Sequence, residues 1–297
     1  MNTSLDPGKA AFYGQLVAAA YDMFAVNNDD LRPAPKNIPP GWELSAWINM
    51  SDFLLQITDP KFYGIVVHEV ANPDNRIIAI RGTEGIVEWL DDAASIVMVP
   101  FRQVPSAGRV AFGFDNIYST MKVVPVPRAA PILASAAEPE LTGSFGDQLE
   151  QLALRREAER GVAHDFAEGR TRRDRPTVVS AHSLGSALAT LFVLENSVKQ
   201  KFDISLSSTL ASPKVGNLEF KQLFDALPLT SWRIVNTRDV VPKLPPTIPF
   251  ILDYEHVAQA YPFDSSLFAK KNLGCYHSID TYLHWLDNSL PLAPECV

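Results

Sequence analysis

The 297-residue chain is 46% hydrophobic and 20% charged, and its formal charge is −8. It is long enough to bury a large core, and a single α/β domain over residues 1–297 is expected. The acidic balance argues against nucleic acid, which needs a basic footprint, gives no reason to expect attraction to an anionic membrane surface, and suits neutral substrates.

The chain opens Met1-Asn-Thr-Ser-Leu-Asp-Pro-Gly8, without the basic and apolar regions of a signal peptide. No apolar run reaches the length that spans a bilayer. The compartment stays open: cytoplasmic, or secreted with the signal outside this sequence. Next, Phe12, Leu16, Val17, Ala20, Tyr21 and Phe24 recur at helical spacing after Pro7 and predict a helix covering one face of a sheet. Pro33 to Gly41 is turn-rich, with Trp42 and Trp47 as its core anchors.

Phe62–Val70 and Arg76–Arg81 are β-branched runs joined by Ala-Asn-Pro-Asp-Asn, which predicts a hairpin of two core strands. His68, inside the first, reads as a strand residue. The second ends in Arg81-Gly-Thr83-Glu, a turn suited to presenting a backbone donor. The N–H and hydroxyl of Thr83 are candidates for one half of an oxyanion hole, with the N–H of Leu184 as the other. Residues 85–100 begin with a short amphipathic stretch carrying Ile86, Val87, Trp89 and Leu90. A surface helix and a mobile lid over apolar substrate both fit it.

A helix is expected to begin near Ala111-Phe-Gly-Phe-Asp, followed by an irregular proline- and alanine-rich stretch from Pro125 to Pro139. Asp147–Gly169 reads as a solvated helix with one buried side, and its charge run Arg155–Arg160 as a solvated face. Then comes Pro176-Thr-Val-Val-Ser-Ala-His-Ser183-Leu-Gly, a strand that meets a long Ala/Leu/Phe helix through a sharp turn. That context makes Ser183 a candidate nucleophile on a strained elbow, flanked by small Ala181 and Gly185.

Ile204–Ala211 predicts the next strand and Asn217–Leu227 a helix. Trp232–Asp239 predicts a strand whose end presents Asp239, the candidate acid. Tyr254–Ala260 reads as a further strand, and Ile279–Leu290 as the last helix. His277, in a loop between a glycine and that helix, is the candidate base. His256 in a strand, His284 in a helix and His164 in the charged helix suit that role less. His182 adjoins the nucleophile and is expected to point elsewhere. Cys275 and Cys296 cannot make a disulfide framework; free thiols are the expectation, with a bridge pinning the C-terminus as the alternative. With no H-E-x-x-H and no clustered Cys/His set, no metal or redox cofactor is expected.

Ser183, Asp239 and His277 fall in the chain order of the α/β-hydrolase arrangement. Ile80-Arg-Gly-Thr83, Ala181-His-Ser-Leu-Gly185, Ala211-Ser-Pro-Lys-Val-Gly-Asn217, Asp239-Val-Val-Pro and Gly274-Cys-Tyr-His277 together resemble the ordered blocks of the class 3, or filamentous-fungal, triacylglycerol lipase family. The resemblance runs from about residue 62 to 290. It implies a mixed, mostly parallel sheet flanked by helices, with a short helical lid after Thr83 that carries Trp89. It also implies Ser183 as nucleophile, Asp239 and His277 as its partners, and hydrolysis of acylglycerols or similar lipid esters through an acyl-enzyme. The same family embraces feruloyl or aryl esterases and phospholipases acting on the glycerol acyl bond; a non-catalytic module on the fold is the alternative of a different class. Three positions depart from the family pattern: Ala181 and Ser186 stand where glycines are usual, and Ala111 where many members carry histidine.

Overall fold

A computed structural model describes residues 4–52, 57–83, 96–127, 140–159, 176–248 and 252–297. Its strands are β1 (Trp42–Asp52), β2 (Ile57–Glu69), β3 (Arg76–Ile80), β4 (Met98–Pro100), β5 (Arg109–Ala111), β6 (Lys122–Pro125), β7 (Thr177–His182), β8 (Ile204–Leu210), β9 (Thr230–Asn236) and β10 (Ala260–Phe263). Its α-helices are α1 (Pro7–Val26), α2 (Phe112–Tyr118), α3 (Phe145–Glu159), α4 (Leu184–Lys199), α5 (Leu218–Asp225), α6 (Leu273–His277) and α7 (Ile279–Leu286).

Eight of the strands form one sheet in the order β10-β9-β8-β7-β3-β2-β1-β6, while β4 and β5 pair separately. From β3 through β7, β8 and β9 to β10 the pairing is parallel. The remaining strands, β2, β1 and β6, add antiparallel to the other side of β3. This is the expected mixed, mostly parallel sheet.

Both faces are covered, which is why the central strands read as unbroken apolar runs. In β3, Ile77 and Ala79 pack into the cluster built on α1, while Ile78 and Ile80 join the larger cluster with Leu184, Leu188 and Leu191 of α4. The apolar positions of α1 behave as predicted: Leu16, Val17 and Ala20 are buried, and Asp6 caps the helix by accepting from the N–H of Lys9. A third cluster joins Ala10 and Ala11 of α1 to Tyr282 and Leu286 of α7.

The predicted hairpin is β2 and β3. Trp47, read as an anchor, donates its indole N–H to the Pro33 carbonyl. Several expectations need correction. The stretch read as a strand at 254–260 is not one. Glu255 makes only an isolated bridge to Gly216, and the strand is β10, because Tyr254 and His256 are fastened by side-chain bonds to the carbonyls of Ile96 and Pro242 instead of by a ladder. The strand before Asp239 ends at Asn236, and the last helix stops at Leu286. His277 ends a helical turn rather than lying in a loop, since Asn272 caps that turn through the N–H of Cys275. Free thiols were the wrong expectation: Cys275 and Cys296 form a disulfide. The proposed lid with Ile86, Val87, Trp89 and Leu90, most of the proline-rich stretch and His164 lie outside the described residues. Among the described residues no helix is long and apolar enough to cross a membrane.

Candidate active site

Strands β3, β7 and β9 run parallel within one sheet, so the chain leaving each emerges at the same edge. Thr83, Ser183 and Asp239 all follow such strand ends. Ser183 has φ 57° and ψ −130°, a left-handed backbone that a side chain tolerates only when its surroundings impose it. Here they do. Its N–H donates to the Leu210 carbonyl of β8, and the first turn of α4 presses against β3. A Cβ placed on Gly185 would lie 2.5 Å from the carbonyl oxygens of both Ile80 and Arg81, so only glycine fits there. Ser186, at one of the departures from the family pattern, is accommodated because its hydroxyl donates to the Leu210 carbonyl at 3.0 Å.

At this elbow the hydroxyl of Ser183 lies 2.8 Å from Nε2 of His277, and Nδ1 of His277 lies 2.7 Å from Oδ2 of Asp239. A carboxylate only accepts, so Nδ1 carries the proton and Nε2 is left to accept from the serine. Asp239 is 1% exposed. Its Oδ1 accepts from the Val241 N–H and its Oδ2 also from the Tyr282 hydroxyl. Burial and the adjacent carboxylate push the Tyr282 phenol well above the usual tyrosine range, so it stays a donor.

The two candidate oxyanion donors flank the serine. Leu184 is the first residue of the 16-residue helix α4, where N–H groups have no intrahelical acceptor and the helix end carries partial positive charge. Thr83 follows Gly82, which packs so tightly that a Cβ on it would come within 2.6 Å of Ser183 Cβ.

Sequence reasoning missed the groups behind these. His182 does point away from the nucleophile, yet it packs on His277 with ring centroids 4.7 Å apart and hydrogen-bonds its carbonyl. Burial first, then the neighbouring His277, holds its imidazole well below the usual histidine range. Tyr21, read only as part of a buried helix face, reaches both His182 and Gly82. Asn236 bonds the Tyr276 carbonyl, next to His277. Among the described residues no group of three or more His, Cys, Asp or Glu lies together as a metal site would require.

A mixed sheet covered on both faces, with a serine at a strained strand-to-helix turn and a histidine and an aspartate in hydrogen-bonded series behind it, defines an α/β-hydrolase. Residues 77–248 match the family described as lipase (class 3). The chain belongs to that family. It is 27% identical over 256 residues to phospholipase A1-II 1 of Oryza sativa subsp. indica, covering 82% of this chain and 57% of the rice protein. It is 28% identical over 240 residues to the chloroplastic phospholipase A1-Igamma3 of Arabidopsis thaliana, covering 71% and 42%. The chain thus spans about half the length of these plant relatives. Its fold is similar to that of the triacylglyceride lipase of Rhizomucor miehei, with a TM-score of 0.57 at 19% identity over 88% of this chain and 81% of that one. It is likewise similar to a lipase called MDLA, from Penicillium cyclopium, with a TM-score of 0.55 at 23% identity over 86% and 78%.

Proposed function

We propose that this chain is a serine carboxylic ester hydrolase acting on the acyl esters of glycerolipids. The observation that carries the reading is the unbroken series from the Ser183 hydroxyl through both ring nitrogens of His277 to Asp239, at 2.8 and 2.7 Å. As Oγ of Ser183 attacks the ester carbonyl carbon, its proton passes to Nε2 of His277, and Asp239 stabilises the imidazolium formed. The carbonyl oxygen, now anionic, accepts from the N–H groups of Thr83 and Leu184 and from the Thr83 hydroxyl. Collapse of the intermediate expels the alcohol, protonated by His277, and leaves the acyl group on Ser183. Water, deprotonated by the same imidazole, then attacks the acyl-enzyme and releases the carboxylic acid.

Family membership supports a lipid ester as the substrate, and the names of the plant relatives support a second, narrower reading, a phospholipase A1-type preference. In either reading the amphipathic stretch after Thr83, with Ile86, Val87, Trp89 and Leu90, serves as the apolar cover of the site. Hydrolysis of p-nitrophenyl esters of graded chain length tests the class. Absence of turnover, or turnover unchanged in Ser183→Ala, would leave a non-catalytic module. Triacylglycerol emulsions against phosphatidylcholine vesicles, with the released acyl position identified, separate the two lipid readings, and methyl ferulate tests the aryl esterase alternative. A jump in rate as the substrate forms an interface supports the cover.

A further inference from the structure

Gly82 is gripped at both of its backbone polar groups. Its N–H donates to the Tyr21 hydroxyl at 2.7 Å, and its carbonyl accepts from Nη1 of Arg81 at 2.7 Å. In a trans peptide the carbonyl and the following N–H point in opposite directions. A donor that fixes the Gly82 carbonyl therefore fixes the direction of the Thr83 N–H. The Arg81 guanidinium is itself immobilised: Nε and Nη2 donate to the Phe62 carbonyl at 3.0 and 2.6 Å. Its Cζ lies 3.5 Å from the ring centroid of Phe24 and 4.3 Å from that of Tyr63. A cationic donor on a carbonyl also polarises the peptide and strengthens the N–H on its far side.

Tyr21 extends the grip. Its hydroxyl lies 2.8 Å from Nδ1 of His182, and Nε2 of His182 lies 2.9 Å from the His277 carbonyl. A carbonyl only accepts, so Nε2 carries the proton and Nδ1 accepts from the tyrosine. One directional chain results: Gly82 N–H to Tyr21, Tyr21 O–H to His182, His182 N–H to the His277 carbonyl. Its two ends are the strand end bearing the oxyanion donor and the helical turn bearing the base. The rings are in contact along the way, with Tyr21 and His182 centroids 5.8 Å apart.

We propose that Tyr21 and Arg81 are positioning residues for the oxyanion-binding N–H of Thr83, and that Tyr21, through His182, locks that N–H to the backbone of His277 so that donor and base keep one spacing. The proposal rests on the ester-hydrolase reading above. None of the three side chains has to touch the substrate. Their effect falls on the transition state, because a misplacement of about 1 Å in such a site costs about 100-fold.

The test compares the full-length wild type with Tyr21→Phe, which removes one hydroxyl and keeps the ring. Steady-state hydrolysis of a p-nitrophenyl ester is measured beside inhibition by a trifluoromethyl ketone of the same acyl length, whose hemiketal with Ser183 places an oxyanion in the hole. Expected for Tyr21→Phe are a kcat lower by roughly 10- to 100-fold, a KM within about twofold of wild type, and ketone binding weakened by the same factor as kcat/KM. His182→Gln, which retains a donor and an acceptor, recovers activity that His182→Ala loses. Wild-type kcat and ketone affinity in Tyr21→Phe overturn the proposal, as does a change confined to KM. If Tyr21→Phe does not fold, Arg81→Lys and His182→Gln are read by the same two measurements. Ser183→Ala separates the failures: if it still turns over substrate, the ester-hydrolase reading falls and takes this proposal with it. If Ser183→Ala is inactive while the positioning variants are unimpaired, the positioning alone is wrong.

Discussion

The hydroxyl of Tyr282 donates at 2.8 Å to Oδ2 of Asp239, the same oxygen that accepts from Nδ1 of His277. The phenol is fully buried among Phe263, Trp232 and Leu286, and it also accepts from the Asn236 N–H. Tyr282 thus ties the carboxylate to the end of β9 while sharing it with the base.

Replacing Tyr282 by phenylalanine is expected to lower kcat by roughly 3- to 10-fold and stability by about 1–3 kcal/mol, the cost of unpartnered buried groups. The residual loss in kcat should persist at temperatures where the variant is fully folded by circular dichroism. An unchanged kcat there would mean that Asp239 needs no help in orienting His277.

Acid should destabilise the fold before most carboxylates titrate. His182 is held well below the usual histidine range by burial. His256 is pushed down to about 3, first by burial and then by Arg233. Both are neutral when folded and charge when unfolded, so the unfolded chain binds more protons below about pH 6.5 and stability falls as pH drops through that value. Above it, neither form gains and the term vanishes. The two imidazoles together contribute a slope of up to about 2.7 kcal/mol per pH unit. His256→Gln, whose amide N–H can still reach the Pro242 carbonyl accepted now by Nε2, should halve that slope in urea titrations between pH 6.5 and 4.5. Identical slopes would exclude His256 as a source.

The bridge from Cys275 to Cys296 closes a loop with a sequence separation of 21. Cys275 lies two residues before His277 on α6, and its carbonyl accepts from the Thr281 hydroxyl of α7 at 2.7 Å. Cys296→Ser is expected to lose about 3 kcal/mol, as a loop of this size predicts, and to lower kcat more than KM. Thermal unfolding with and without reductant gives the check; coincident midpoints would show that the bridge does not constrain the fold.

Gly185→Ala is the severest single change expected at the elbow. The new methyl meets two backbone oxygens at 2.5 Å, neither of which belongs to a flexible side chain, so α4 and β3 must separate. About 3 kcal/mol of stability should go, the upper end for overpacking, together with most of the activity, because the displaced strand leads directly into Gly82 and Thr83. Near-normal stability would show that the elbow has more slack than its contacts indicate.

The strands buried on both faces were readable from the sequence, since β3, β7, β8 and β9 carry β-branched runs with little else to explain them. In β1 the inward Ala46, Ile48 and Met50 alternate with Trp47, Asn49 and Ser51, a weak signal beside a turn-rich segment. Four-residue β6 merges into the proline-rich stretch that starts at its own Pro125. Ser183, Asp239 and His277 were readable because each sits where a strand or turn releases it into a recognisable block. Tyr21 was not: 61 residues separate it from Gly82 and 161 from His182, and only the packing of α1 onto the sheet brings them together. The disulfide was weighed and set second, because two cysteines leave little in the sequence to decide their state.

The region that identifies the family, 77–248, is smaller than any unit that could work. Cut there, the polypeptide would keep the alcohol and the acid but lose His277. It would also lose α1 with Tyr21, both strands between β3 and β6, and outermost β10. One flank of β3 would then stand open along its length, inviting a second copy to pair with it. An expression boundary for this enzyme is therefore drawn by the helices and strands that close the sheet, from the cap at Asp6 to the tether at Cys296.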